Sequence, residues 1–356
     1  MDLIPEAIGL LSIPSTADRP DELHRALEYV LDLVGPGFTV ERFESNGKPS
    51  ALVYEGPRRR HFPVILNAHL DVVPATPDQF VPRLEGDRLY ARGAQDMKVA
   101  GLVEALVFRE VRGPFALQLV TDEEVGGRDG TRHQLQQGVS ADFVVIGEQS
   151  GLRLVTESKG IFNADLHAIG RAGHSAYQWN ADNALLPVMR SVEKVLARYP
   201  VPTEEAWRTT VNVAKIETSN TALNQVPADA TAFLDIRYPP KDTDFDGRTE
   251  AEIADYLQTF CDPGVTVSVY HLDPPHKADP GSRQVRLIEQ AVRNQGYDPS
   301  ILRKHGAADG RFYYQRGIDA VIFGVGGQGL HGPDEYVDVT TIDPYYQALR
   351  EFLQSV

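Results

Sequence analysis

The sequence predicts an α/β protein: a largely parallel sheet with helices on both faces, interrupted by a smaller inserted β-α-β-β-α-β domain. Three observations carry this prediction. Short apolar runs alternate with helical patterns as far as about residue 157. A different order of strands and helices then takes over, and the first pattern returns after residue 273. Histidines and carboxylates follow several of the apolar runs, and sheets of this kind build their sites just beyond the carboxyl ends of their strands.

Element by element, a helical pattern covers 21–34, strands fall near 51–54 and 63–68, and a helix covers 97–111. Strands follow at 115–120 and 143–147. From 161 the order becomes strand 161–169, helix 182–197, strand 209–217, strand 229–237, helix 248–260 and strand 264–271. That series is the ferredoxin-like motif, a compact unit that can close on itself. Pro274 and Pro275 deny both helix and ladder, so 272–277 reads as the return linker. A helix near 283–295, a strand at 320–324 and a helix near 343–354 complete the first pattern. The expected organisation is a discontinuous domain, 1–157 with 274–356, and an inserted domain at 158–273.

Composition narrows the classes of function. A length of 356 residues favours two domains, and 42% hydrophobic with 24% charged residues is ordinary for a globular protein. A formal charge of −15 argues against nucleic acid or an anionic membrane as partner. The single cysteine, Cys261, excludes an internal disulfide framework and a cysteine-rich zinc site. No apolar run reaches the length of a membrane span, and the first residues, Met-Asp-Leu-Ile-Pro-Glu, lack a secretory signal pattern. A cytoplasmic protein with a small-molecule substrate is expected.

Five metal-type signals are spread along the chain. His69 and Asp71 end the run from Pro63, Asp96 lies in Arg-Gly-Ala-Gln-Asp-Met-Lys, and Glu123-Glu124 lies in Thr-Asp-Glu-Glu-Val-Gly-Gly. Glu148 follows in Ile-Gly-Glu-Gln-Ser, and His331 in Leu-His-Gly-Pro-Asp-Glu-Tyr. Taken singly, each has an ordinary reading as a cap, a turn or a solvated helix start. Taken as an ordered set, four of them placed after apolar runs at 63–68, 115–120, 143–147 and 320–325, they point to a metal cluster on one sheet edge. Gly324-Val-Gly-Gly-Gln-Gly329 satisfies a dinucleotide pattern, but His331-Gly-Pro follows it where a helix should start. Gly173-His-Ser-Ala-Tyr177 lacks the final glycine and the strand-to-helix context of a serine nucleophile elbow.

With Gly-Arg-Ala-Gly-His-Ser-Ala, Leu-Asn-Gln-Val-Pro, Leu-Asp-Ile-Arg and Asp-Gly-Arg-Phe added, the motifs resemble those of the M20 family of co-catalytic metallopeptidases and deacylases. The resemblance spans nearly the whole chain. It implies a zinc-peptidase-like catalytic domain and an inserted lid domain that forms a homodimer. It also implies two divalent ions, zinc by its mixed imidazole and carboxylate ligands, with cobalt or manganese as alternatives. His69, Asp96 and Glu148 would hold one ion, and Asp96, Glu124 and His331 the other, with the Asp96–Met97 peptide cis. Asp71 would orient His69, and Glu123 would be the general base acting on a water shared by the ions. His174 would stabilise the oxyanion, reaching the metal centre of the partner subunit, and Arg237 would grip a substrate carboxylate. Asn224, Arg311 and Tyr177 would line the substrate, Arg311 alternatively pairing with Asp309 or Asp334.

The sequence departs from the family where Val99 replaces a glycine after the bridging aspartate, and where Ala307 and Ala308 replace hydroxyl residues before Asp309. The resulting expectation is a two-metal amidohydrolase acting on an N-acyl amino acid or a small peptide. A carboxypeptidase or dipeptidase is the alternative, and a serine hydrolase or a non-catalytic binding protein stands further off. A binding protein that had lost its chemistry should have lost ligands or the base, and none of the six residues concerned is missing.

Overall fold

In a computed structural model, described over residues 3–356, the chain divides into two compact units. The first comprises residues up to 157 with 276–303 and 308–356; the second comprises 158–275 with 304–307.

The first unit is built on a sheet whose strand order is Thr39–Ser45, Lys48–Tyr54, Ala116–Val120, His61–His69, Ser140–Ile146, Asp319–Ile322, Leu154–Ser158 and His276–Lys277. Its middle is parallel: His61–His69 pairs in parallel with Ala116–Val120 and Ser140–Ile146, and the latter with Asp319–Ile322. Antiparallel pairings lie outside this group, from Thr39 to Tyr54 on one side and at Ile322 with Val155 on the other. The central strands are apolar on both faces because both faces are covered. Val64, Leu66, Ala68, Phe143 and Val145 enter one core, and Ile65, Val144 and Ile146 enter the other. The larger core receives Ile4–Leu11, Pro20–Val34, Lys98–Val111, Arg283–Asn294 and Ile342–Ser355; the smaller receives Thr131–Gln136 and Gly310–Tyr314.

Local chemistry explains the main elements. Pro20–Val34 opens with Pro, Asp21 and Glu22, buries Leu23, Ala26, Leu27, Val30, Leu31 and Val34 on one stripe, and stops at Gly35 with φ 75°. Lys98–Val111 is buried on all sides through Phe108, and a Cβ on Gly101 would lie 2.9 Å from that of Ala68, so helix and strand touch there.

The second unit is a four-stranded antiparallel sheet in the order Thr210–Glu217, Asp229–Tyr238, Gly160–Ile169, Val265–Asp273. Along the two inner strands, buried and half-buried residues alternate, the pattern of a sheet with one covered face. Leu185–Arg198 and Glu250–Gln258 supply that cover, packing Val188, Val192, Ile253 and Leu257 on Phe162, Leu166 and Leu234.

Three sequence expectations require correction. The expected helix start at 182 moves to Leu185, because Asp182 bridges to Arg171 and the Asn183 side chain accepts the Leu185 N–H (3.0 Å). The return segment 272–277 is not a free linker: the preceding strand runs on to Asp273 and His276–Lys277 joins the large sheet, leaving only the two prolines outside a ladder. The run 320–325 leaves the sheet after Ile322. Among the described residues, no helix is long and apolar enough to cross a membrane.

Candidate metal centre

Strand register brings the metal-type residues together. His69 is the last residue of its strand and lies opposite Val120, while Asn67 lies opposite Ile146. Three parallel strands therefore end on one edge, and Asp71, Glu123, Glu124 and Glu148 lie just past those ends. Asp96 arrives on the turn before Lys98–Val111, and its peptide to Met97 is cis, as the family resemblance implies. His331 sits in a turn with φ 58°.

The side chains converge. His69 Nε2 is 3.0 Å from Asp96 Oδ1. His331 Nε2 is 3.3 Å from Glu124 Oε2 and 3.5 Å from Asp96 Oδ2. Two trios have ligand atoms all within 4.8 Å of one another: His69, Glu123 and Glu148, and His69, Asp96 and Glu124. Glu123 thus joins one trio and Glu124 the other. Asp71 lies against His69 and also makes a second set of contacts. His69 Nδ1 is nearer the Asp71 main-chain carbonyl (3.0 Å) than its carboxylate (3.5 Å). The carboxylate also accepts the N–H groups of Glu123 (3.2 Å) and Glu124 (3.0 Å), fixing the turn that presents both glutamates.

The electrostatics are those of a cation site. Burial and the neighbouring Glu148 push the Glu123 carboxyl well above its ordinary range. Burial, reinforced by Asp96, pushes Glu124 up to about 7, against the opposing pull of His69. Burial alone would lower the His69 imidazole, but its contacts with Asp71 and Asp96 outweigh that and raise it. Four carboxylates and two imidazoles so close together carry more negative charge than they can neutralise among themselves. Oxygen and imidazole donors in that ratio fit divalent ions of the zinc, cobalt or manganese type.

Around this cluster lie groups whose roles the motifs leave open. Arg311 is 4% exposed, donates to the Gly126 carbonyl (2.8 Å), and holds its guanidinium 3.8 Å from Glu123 and 3.9 Å from Asp309. Ala308 is buried in the smaller core, so its methyl serves packing. Sequence reasoning missed Arg92 and Glu335, which form a buried ion pair beside Asp96 and His331. Both stand inside quoted motifs, but their pairing spans 243 positions and gives no local signal.

In the second unit, Gly173–His174 pairs with Gln225–Val226, and the Ser175 N–H donates to the Asn224 carbonyl (2.9 Å). The Tyr177 ring lies 5.6 Å from that of His174, so His174, Tyr177 and Asn224 share one exposed corner. The Ala176 N–H donates to His174 Nδ1 (3.1 Å), which leaves the ring proton of the neutral imidazole on Nε2. Arg237 lies elsewhere, near the far end of Asp229–Tyr238, with its guanidinium forked onto Asp235 at 2.8 and 3.2 Å.

The chain matches the peptidase family M20/M25/M40 over residues 65–355. It is 28% identical to the succinyl-diaminopimelate desuccinylase of Acidiphilium cryptum, with 96% of this chain and 95% of the other covered. Its fold is similar to a tripeptidase from Staphylococcus aureus, with a TM-score of 0.80 at 18% identity, covering 99% of this chain and 97% of the other. It is also similar to an M20 family metallo-carboxypeptidase from Sulfolobus solfataricus, with a TM-score of 0.78 at 19% identity and 99% of each chain covered. A hydrolase with an acidic, histidine-bearing candidate metal site at the sheet edge, this chain belongs to the peptidase family M20/M25/M40.

Proposed function

We propose that this hydrolase is a two-zinc amidohydrolase that removes the acyl group from an N-acyl amino acid. The observation that carries this reading is the convergence of His69, Asp96, Glu123, Glu124 and Glu148 in two overlapping trios, with His331 against Asp96 and Glu124. His69, Asp96 and Glu148 would hold one ion, and Asp96, Glu124 and His331 the other, Asp96 offering one oxygen to each. Bound there, such ions activate water near neutral pH and polarise a carbonyl.

The chain's own residues then divide the remaining work. Glu123 accepts a proton from the attacking water and returns it to the leaving amine. Arg311, beside Glu123, helps hold that carboxylate in place. His174 donates from Nε2 to the oxygen that becomes negative, and Asn224 and Tyr177 flank it. Arg237 accepts the substrate carboxylate with the planar fork that now rests on Asp235.

The spacing within the second unit supports a homodimer. His174 lies beside the Asp229 end of the strand that carries Arg237. The strand path from Asp229 to Arg237 is on the order of 25 Å, longer than a small N-acyl amino acid. If both residues touch one substrate, they come from different subunits, which agrees with His174 serving the partner's metal centre.

The relatives include both deacylases and peptidases, so the substrate decides between them. Incubation with N-acetyl, N-succinyl and N-formyl amino acids and with simple dipeptides, in the presence of zinc, cobalt or manganese, tests the proposal. Turnover of an N-acyl amino acid is expected. Turnover of dipeptides alone would replace deacylase by dipeptidase.

A further inference from the structure

We propose that Arg92 and Glu335 are a positioning pair that locks the Asp96 loop to the His331 loop and so sets the geometry of the metal site those two residues share. This rests on the proposed reading of Asp96 and His331 as ligands. One nitrogen of the Arg92 guanidinium, Nη1, pairs with Glu335 Oε2. The other, Nη2, donates to the carbonyls of His331 (3.0 Å) and Gly332 (3.1 Å). Glu335 Oε1 accepts the main-chain N–H groups of Gln95 (3.0 Å) and Asp96 (3.2 Å). Each charge of the pair therefore grips the backbone at one of the two ligands.

The loops also meet through a short ladder, in which Tyr90 pairs with Tyr336 and the Ala91 N–H donates to the Glu335 carbonyl (3.1 Å). That ladder stops short of both Asp96 and His331. The ion pair extends the alignment from its end to the ligands themselves. His331 also adopts a left-handed backbone, rare for a residue with a side chain, and Arg92 holds its carbonyl. Stability alone is a weak reason to bury such a pair, because desolvation offsets much of the attraction. An apolar pair of the same size could not accept two N–H groups and donate to two carbonyls at once.

Lysine at position 92 keeps the charge but not the planar fork, so Arg92→Lys tests the inference. Zinc is titrated calorimetrically into the metal-free wild type and variant, and the melting temperature of each metal-free protein is recorded. The wild type should bind two zinc ions. The variant should melt close to wild type and lose affinity chiefly at the site that contains His331, about 10–100-fold, the usual effect of losing a group that orients a ligand, with a smaller loss at the other site through the shared Asp96. Its hydrolytic rate at limiting zinc should be low and should recover with excess zinc. If Arg92→Lys does not fold, Glu335→Gln carries the same expectation. Two sites at wild-type affinity would overturn the inference, as would an equal loss at both sites accompanied by a drop in melting temperature. A wild type that takes up fewer than two zinc ions would instead overturn the reading of Asp96 and His331 beneath it.

Discussion

Glu123 and Glu124 are neighbours in one turn, and the same Asp71 carboxylate caps both of their N–H groups. Their surroundings nevertheless differ. Glu123 faces Glu148 and the buried Arg311, whereas Glu124 faces His331 and Asp96. Glu123→Gln should therefore leave both metals bound and lower kcat by roughly 10²–10⁴, the usual loss with a general base. Glu124→Gln should lower metal occupancy. Elemental analysis of both variants beside their kinetics checks this, and the opposite pattern would exchange the two roles. At this scale the ligands are legible because each stands in a short motif of distinctive chemistry. Asp71's hold on the Glu123–Glu124 turn and the Arg92–Glu335 pair are not, because each joins residues that only the folded chain brings near. The motifs leave Arg311 as either a substrate contact or a partner of Asp309 or Asp334; its place beside Glu123 depends on how Gly310–Tyr314 packs on the sheet.

The same limit applies to whole elements. Strands buried on both faces announce themselves as unbroken apolar runs, so 63–68, 115–120 and 143–147 recur nearly intact in the fold. The run 320–325 looks alike but leaves the sheet early. A Cβ on Gly324 would lie 2.4 Å from the carbonyls of Gly147 and Glu148, so two backbones cross there and no ladder continues. The two-residue strand at His276 is hidden by the prolines before it. Its imidazole is fully buried and Nε2 donates to the Ala320 carbonyl (2.5 Å), tying this strand to the middle of the sheet. Burial lowers the His276 pKa below its ordinary value, against the pull of that carbonyl. The unfolded chain then binds a proton more readily than the folded one, so stability from this group is complete above about pH 6.5 and falls as the pH drops below it. His276→Gln keeps a donor for Ala320 without titrating. Its melting temperature should decline less than that of the wild type between about pH 7.5 and 5.5, the range around an ordinary histidine pKa; parallel declines would show that His276 does not titrate on unfolding.

At the scale of the molecule, the β-α-β-β-α-β order of the second unit is plain in the sequence, since its alternating strands and amphipathic helices differ from the buried runs before them. What that unit does is not plain, because exposed residues such as His174 and Tyr177 obey no periodicity. The proposed dimer makes a direct prediction. Glu123→Gln and His174→Ala proteins, each inactive alone, should regain activity when unfolded and refolded together, since a mixed dimer unites the intact Glu123 of one chain with the intact His174 of the other. Mixed dimers on a native gel without activity would place His174 outside the partner's site. All of this depends on one claim, that five side chains at the sheet edge, His69, Asp96, Glu124, Glu148 and His331, hold two ions. A crystal structure of the zinc-loaded protein, with anomalous data collected at the zinc edge, tests it most directly. Two peaks are expected roughly 3.5–4 Å apart, one against His69, Asp96 and Glu148 and the other against Asp96, Glu124 and His331. A single peak, or zinc held away from these residues, would contradict it.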